Sequence, residues 1–197
     1  MISFNQEIIR KSIHLSSLIV PFFLYIYSRA FTLYILIPLT ISFLTVDVLR
    51  IKIPYIKKLY NTFFRSITRD SETSSLTGAS YVLFSSSLII LLFPKSLAII
   101  SLMIMSISDT FAAIIGRLYG TVKINKKTLE GSVAFFLSSI IIILIFSELN
   151  LSIAIASVLV ATMAELYLPV NDNFAIPFSF AFSYISINAI LRALGGF

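Results

Sequence analysis

The feature that most constrains this chain is a series of apolar runs, each long enough to cross or nearly cross a bilayer. They are separated by charged or Pro/Gly-containing breaks. The runs cover Ile13–Tyr27, Phe31–Val48, Thr77–Phe93, Ser96–Tyr119, Ser132–Leu149, Ser152–Leu168 and Ile176–Leu194. A helical crossing of the ~30 Å hydrocarbon layer needs roughly 20 apolar residues, so 197 residues hold about seven crossings and no second, soluble domain. Composition agrees: 58% of residues are hydrophobic and 12% charged, against roughly a quarter charged in soluble domains. A β-barrel would alternate polar and apolar residues, and these runs do not. The expected fold is an all-α polytopic membrane protein, a single integral-membrane domain over residues 1–197.

The basic residues set the expected orientation. Arg10 and Lys11 precede the first run. Arg50, Lys52, Lys57, Lys58, Arg65 and Arg69 lie between the second and third, and Arg117, Lys123, Lys126 and Lys127 between the fourth and fifth. All fall on one side, while Arg29, Lys95 and Arg192 fall on the other. The positive-inside rule then predicts a cytoplasmic N-terminus. Glu7, Asp47, Asp70, Glu72, Asp109, Glu130, Glu165 and Asp172 map to the same side, although carboxylates contribute little to topology. The net charge of +6 reads as basic loops beside anionic lipid headgroups rather than as a nucleic-acid footprint. No cysteine and one histidine exclude a disulfide framework, a thiolate metal site and a multi-histidine site. No small-residue cleavage site follows Arg10 and Lys11, so a removable signal is not expected.

Between the second and third runs, apolar residues from Leu49 to Ile67 recur every three or four positions, with Lys57, Lys58 and Arg65 between them. This spacing predicts an interfacial amphipathic helix with Pro54 near its start, either beside a lipid entry route or as a plain connector.

Asp109 lies inside the fourth run, eight residues before Arg117. A carboxylate near a span centre costs ~3 kcal/mol on insertion, so it should face a cavity or a partner. Ala112, Ala113, Gly116 and Gly120 follow on the same helical stripe, which alone would make a helix-packing face. Beyond them, Lys126, Lys127, Thr128, Glu130, Gly131 and Ser132 open the fifth run. Gly131 permits a tight turn and Ser132 is suited to cap the helix. The helix N-terminus beside two lysines would then cradle phosphate, with Glu130 and Asp109 available for Mg²⁺. Paired lysines beside a membrane also serve as plain topology anchors.

The run Asp109-x-x-Ala112-x-x-x-Gly116-x-x-x-Gly120, followed by Lys126–Lys127–Thr128-x-Glu130–Gly131–Ser132, resembles the nucleotide-binding signature of the CTP-dependent lipid kinases. That family includes dolichol, phytol and yeast-type diacylglycerol kinases. Arg10–Lys11-x-x-His14, Asp47-x-x-Arg50, Leu76–Thr77–Gly78–Ala79 and Glu165 with Asp172–Asn173 resemble its flanking motifs in the expected order. Asn171 departs from members that carry a second acid before Asp172.

The resemblance implies a CTP-dependent kinase that phosphorylates a membrane isoprenoid alcohol, with its active site on the cytoplasmic face and no obligate protein partner. It implies that Lys126, Lys127, Thr128, Gly131, Ser132, Gly116, Gly120, Arg10 and Lys11 meet the nucleotide. Asp109, Glu130 and Asp172 would hold Mg²⁺. Asp109, Asp172 or His14 would take the hydroxyl proton, and Asp47, Arg50, Thr77, Gly78, Glu165 and Asn173 would line the lipid substrate site. Arg10 and Lys11 read equally well as lipid anchors, His14 as a hydrogen-bonded helix-end residue, and Asp47–Arg50 as an intrahelical pair. The alternatives are a diacylglycerol kinase, a CDP-lipid synthase or a small transporter. The synthase signature of Lys-Asp near His-Gly-Gly is missing, and no internal repeat of the transporter kind is visible.

Overall fold

The computed structural model describes residues 4–64, 70–125 and 127–195. Lys126, Arg65, Arg69 and Ile67 lie outside them. Ten α-helices account for nearly all of the described chain. Helix α1 (Phe4–Leu15) continues through a 3₁₀ turn (Ser16–Leu18) into α2 (Ile19–Ile26). The long α3 (Arg29–Lys52) follows, then the short α4 (Pro54–Phe64) and α5 (Gly78–Leu92). Helix α6 (Lys95–Met103) runs through a π-helical turn (Ile104–Ser108) into α7 (Asp109–Tyr119). A hairpin of β1 (Lys123–Ile124) and β2 (Lys127–Thr128) leads to α8 (Leu129–Phe146), α9 (Leu151–Tyr167) and α10 (Asp172–Ala193).

Five helical stretches among the described residues are long and apolar enough to cross a membrane: Gln6–Ile26, Arg29–Lys52, Lys95–Tyr119, Leu129–Phe146 and Asp172–Ala193. Helices α5 and α9 are apolar but shorter. The protein is therefore an all-α polytopic membrane protein. The core runs along α6 and its π turn, where Leu102, Ile104 and Met105 pack with Phe135, Ile176 and Phe180, all fully or almost fully buried. Lipid-facing side chains such as Tyr34, Leu144 and Phe182 are largely exposed, as expected where the surrounding solvent is hydrocarbon.

Three local features differ from the sequence reading. The first helix starts at Phe4 rather than near Ile13, so Glu7, Arg10, Lys11 and His14 lie within it. They are spaced 3, 4 and 7 residues from Glu7 and share one face. The lipid tolerates these charges because that face is turned into the bundle: Glu7 and Lys11 are buried, whereas Ile8, Ile9 and Ile13 are exposed. The second difference is the hairpin, closed by Asn125 with φ 56°, a left-handed conformation that asparagine accepts more readily than most residues. The third is the cap of α8. Thr128, not Ser132, is its N-cap, with the Thr128 hydroxyl accepting from Gly131 N at 3.2 Å.

Helix α4 begins at Pro54, where the missing N–H costs nothing. It buries no residue, and Tyr55, Leu59 and Phe63 stand exposed opposite Lys57, Lys58 and Asn61. That is the amphipathic helix expected from the sequence. The Arg50 guanidinium lies 4.8 Å from the centre of the Tyr60 ring and ties α4 to the bundle.

Candidate active site

Charged side chains gather at one end of the bundle, where α1, α7, α8, α9 and α10 meet. Asp109 is 6% exposed. Its Oδ2 lies 2.5 Å from Lys11 Nζ and 3.4 Å from His14 Nε2. Lys11 Nζ also donates to the Asp109 carbonyl at 3.1 Å. His14 Nε2 is 3.1 Å from Met105 O, and a carbonyl only accepts, so this nitrogen carries a proton and donates. Met105 lies inside the π turn, and π turns inserted in α-helices occur frequently at functional sites. The turn is fixed on both flanks by hydroxyl pairs: Ser17 with Ser106 at 2.6 Å, and Ser139 donating to Ser108 at 2.9 Å.

A second cation completes the group. Lys127 Nζ lies 2.7 Å from Glu165 Oε1 and 2.8 Å from Asp172 Oδ1. Burial pushes its ammonium toward the neutral form, but Asp172 and Glu165 more than offset this and hold its pKa above the ordinary lysine value. Glu165 is buried and also accepts from Ser132 Oγ at 3.0 Å. Lys127 and Asp172 both lie within electrostatic reach of Asp109. The result is an alternating set, Lys11–Asp109 beside Lys127–Glu165/Asp172, with Arg117 and Arg10 paired to Glu7 at 3.5 and 2.9 Å toward the helix ends.

The remaining sequence-predicted residues fall elsewhere. Glu130 turns away from Asp109 and accepts from Thr121 N at 2.8 Å and Val122 N at 3.1 Å, as well as from the Thr121 hydroxyl. It fastens the hairpin to α8. Gly116, Gly120 and Gly131 lie where α7 crosses α8. A β-carbon at Gly131 would stand 2.8 Å from Ala112 O, and one at Gly116 would stand 2.7 Å from Thr128 Oγ1. The stripe that begins at Asp109 is thus a packing face, and it also carries the acid to its partners. The Gly131 amide, at the helix N-terminus expected to cradle phosphate, already donates to the Thr128 hydroxyl.

Asp47 and Arg50 form the intrahelical pair at 2.6 Å, and both are buried. Asp47 Oδ2 accepts from Thr77 N at 2.7 Å and Thr77 Oγ1 at 2.9 Å. Arg50 donates to Glu72 O at 2.9 Å and Ser75 O at 2.7 Å. These contacts lock the loop that enters α5. Asn173 Nδ2 donates to Gly78 O at 3.1 Å and joins the starts of α5 and α10. Lys126 is outside the described residues.

Hard oxygen donors and lysines suit a nucleotide triphosphate with Mg²⁺, which is typically bound through one or two carboxylates plus substrate phosphates. Asp109 and Asp172 fit that role. Glu130, engaged by hairpin amides, does not in this arrangement, and Glu165 is the carboxylate found with Asp172 instead. Among the described residues, no three acidic or imidazole side chains converge closely enough to hold an ion by themselves. The sequence reading missed the π turn and the serine pairs, which carry no compositional signal. The Glu7–His14 stripe was legible as spacing, four polar residues on one face beside isoleucines.

Fold and site together define a polytopic helical membrane protein with a charged centre sunk into one end of the bundle. No family model matches the chain, and no solved structure matches it significantly. Among curated proteins, uncharacterized protein RP860 of Rickettsia prowazekii is 36% identical over 191 residues, 91% of this chain and 94% of that protein. CTP-dependent diacylglycerol kinase 1 of Saccharomyces cerevisiae is 32% identical over 149 residues, 72% of this chain and 51% of the kinase. The Schizosaccharomyces pombe enzyme of that name is 32% identical over 99 residues, 49% of this chain and 45% of the kinase. The chain belongs to one family with the Rickettsia protein and is a distant homologue of CTP-dependent lipid kinases through their diacylglycerol members. It spans about half the length of these two yeast kinases.

Proposed function

We propose that the chain is a CTP-dependent lipid kinase that moves the γ-phosphate of CTP to the hydroxyl of a membrane lipid alcohol. The observation that carries this reading is the buried Lys11–Asp109 pair beside Lys127, Glu165 and Asp172, in a chain homologous to kinases of that type. An isoprenoid alcohol and diacylglycerol are both acceptors to test. The kinase relatives act on diacylglycerol by name, which makes it the first to try.

In this reaction the lipid oxygen forms a bond to the γ-phosphorus as the bond to the β–γ bridging oxygen breaks. CDP leaves, and the hydroxyl proton passes to a protein carboxylate. The chemistry asks for positioning and charge neutralisation more than for covalent help. Lys127 and Lys11 are proposed to meet the triphosphate, which their place among the carboxylates of the buried centre supports. A bound Mg²⁺, held by Asp109 and Asp172, would supply further neutralisation. The proton acceptor is proposed to be whichever of Asp109 and Asp172 keeps a carboxylate oxygen free of the metal; His14, whose Nε2 already donates, has only Nδ1 to accept with. The charged end is proposed to face the cytoplasm, from the distribution of Lys and Arg.

The test is a thin-layer assay with γ-labelled CTP, Mg²⁺ and purified protein, given diacylglycerol, dolichol, polyprenol and phytol in turn. Label in a lipid monophosphate with release of CDP supports the proposal. In a parallel sample given phosphatidate, its consumption with release of pyrophosphate would make the chain a CDP-lipid synthase instead.

A further inference from the structure

The hydrogen bonds fix how deep the charged centre lies. At the opposite end of the bundle, Lys95 Nζ donates to Tyr25 O at 3.2 Å and Tyr27 O at 3.0 Å, and Arg29 donates to Leu91 O. These contacts put Tyr25, Arg29, Leu91 and Lys95 at one level, and the two cations there suit the hydrocarbon boundary rather than its interior, so this level is taken as the far boundary. Three helical columns rise from that level: Tyr25 to Lys11 and Lys95 to Asp109, which end in the charged centre, and Leu91 to Thr77, which ends beside it where Asn173 ties Gly78 to the start of α10. Each is fourteen residues long. At ~1.5 Å per residue the centre is ~21 Å from the far boundary. The hydrocarbon layer is ~30 Å thick, which leaves the centre ~9 Å inside the near boundary. Around it, α7 continues ten residues past Asp109 to Tyr119, and α1 continues from Lys11 out to Phe4. Helices α5 and α8 begin low, with the start of α8 packed against Ala112 and Gly116.

We infer that the charged end is a recess whose floor lies ~9 Å inside the hydrocarbon boundary, rimmed by α1 and α7, so that phosphate meets a lipid hydroxyl below headgroup level. This rests on the kinase reading. Its chemical consequence is selection by depth. A lipid whose only polar group is a neutral hydroxyl can lower that group a few ångström at modest cost. A phospholipid would have to bring its charged phosphodiester along, which is far more costly. Lipids such as phosphatidylglycerol, whose free hydroxyls stand beyond the phosphate, are therefore excluded as acceptors.

The inference is tested by depth and by acceptor. Nitroxide labels go on cysteines at Ile13, Phe111 and Tyr119, all exposed on the lipid side or at the helix end, in phosphatidylcholine vesicles. Depth is read from the relative accessibility to oxygen and a nickel chelate. Phe111 is expected ~6 Å and Ile13 ~12 Å inside the boundary, with Tyr119 at or above it. Loss of one variant leaves the other interior label to decide. An interior label reading at headgroup level overturns the recess. In the second arm, labelled CTP is supplied with diacylglycerol or phosphatidylglycerol. Phosphorylation of both at similar rates overturns selection by depth and leaves the kinase reading standing. If neither these lipids nor the isoprenoid alcohols of the first assay are phosphorylated, the kinase reading falls, while the label depths still decide the recess.

Discussion

Asp109 sits where two demands meet, since the same carboxylate neutralises buried Lys11 at 2.5 Å and is a proposed ligand of the nucleotide's metal. Asp109→Asn keeps the shape and a carbonyl that Lys11 can reach, but removes the charge. Breaking a buried pair by removing one partner costs ~3–5 kcal/mol because it strands the other charge. Both stability and activity should therefore fall, activity by about a hundredfold or more, since each 1.36 kcal/mol of lost transition-state stabilisation is about tenfold in rate. The double variant Lys11→Met, Asp109→Asn removes both charges. It should recover much of the thermal stability in detergent yet stay inactive. Recovery of activity in the double variant would show that Asp109 serves only Lys11. Lys127→Ala should act differently, raising KM for CTP more than it lowers kcat, because Lys127 is held at the floor by Glu165 and Asp172 rather than against the Asp109 carboxylate. Arg192→Ala, at the far end of α10, should leave both quantities unchanged.

Glycines divide by what lies in front of them, and this separates packing from ligand contact at the level of the elements. Gly131 faces Ala112 O, where a β-carbon would sit at 2.8 Å, and backbone cannot swing aside as a flexible side chain can. Overpacking of this kind costs ~1–3 kcal/mol, so Gly131→Ala should lower the thermal midpoint even without nucleotide. Gly78→Ala meets only Asn173 and Glu72 side-chain atoms at 3.7 Å and should melt like the parent protein. If Gly78→Ala nonetheless loses activity, Gly78 borders the lipid site as the family resemblance implies. Much at this scale was legible in the sequence. Apolar runs gave the helices, Pro54 and the Lys57/Lys58 spacing gave α4, and the small residues after Asp109 gave the packing stripe. What escaped depends on tertiary competition. Thr128 takes the cap because β2 ends there in an extended conformation, which leaves Ser132 one turn inside the helix and free to reach Glu165. Glu130 is drawn to the hairpin amides because Leu129 N bonds Val122 O and folds the hairpin back over the start of α8. No local spacing encodes the π turn at Ile104–Ser108.

At the scale of the whole molecule the chain is polarised. The end of α3, helix α4, the loop into α5, the β hairpin and the starts of α8 and α10 lie at one end with nearly all the acids. The opposite end holds short turns tied by Arg29, Lys95 and the Tyr184 hydroxyl, which accepts from Asn150 N at 3.0 Å. The proposed use of CTP from the cytoplasm requires the charged end to face it, so on that reading the two ends differ in access from outside the cell. Single cysteines test this directly. Asn61 on α4 and Lys123 on β1 mark the charged end, and Glu148 in the turn between α8 and α9 marks the other. Asn125 is the wrong choice despite its exposed turn, because cysteine would be strained at its φ of 56°. In intact cells an impermeant maleimide should label Glu148→Cys alone, and permeabilisation should add Asn61→Cys and Lys123→Cys. Labelling of Lys123→Cys in intact cells would put Lys127, Asp172 and the recess on the outer face. The basic loops would then serve something other than orientation, and CTP could not reach the site from the cytoplasm.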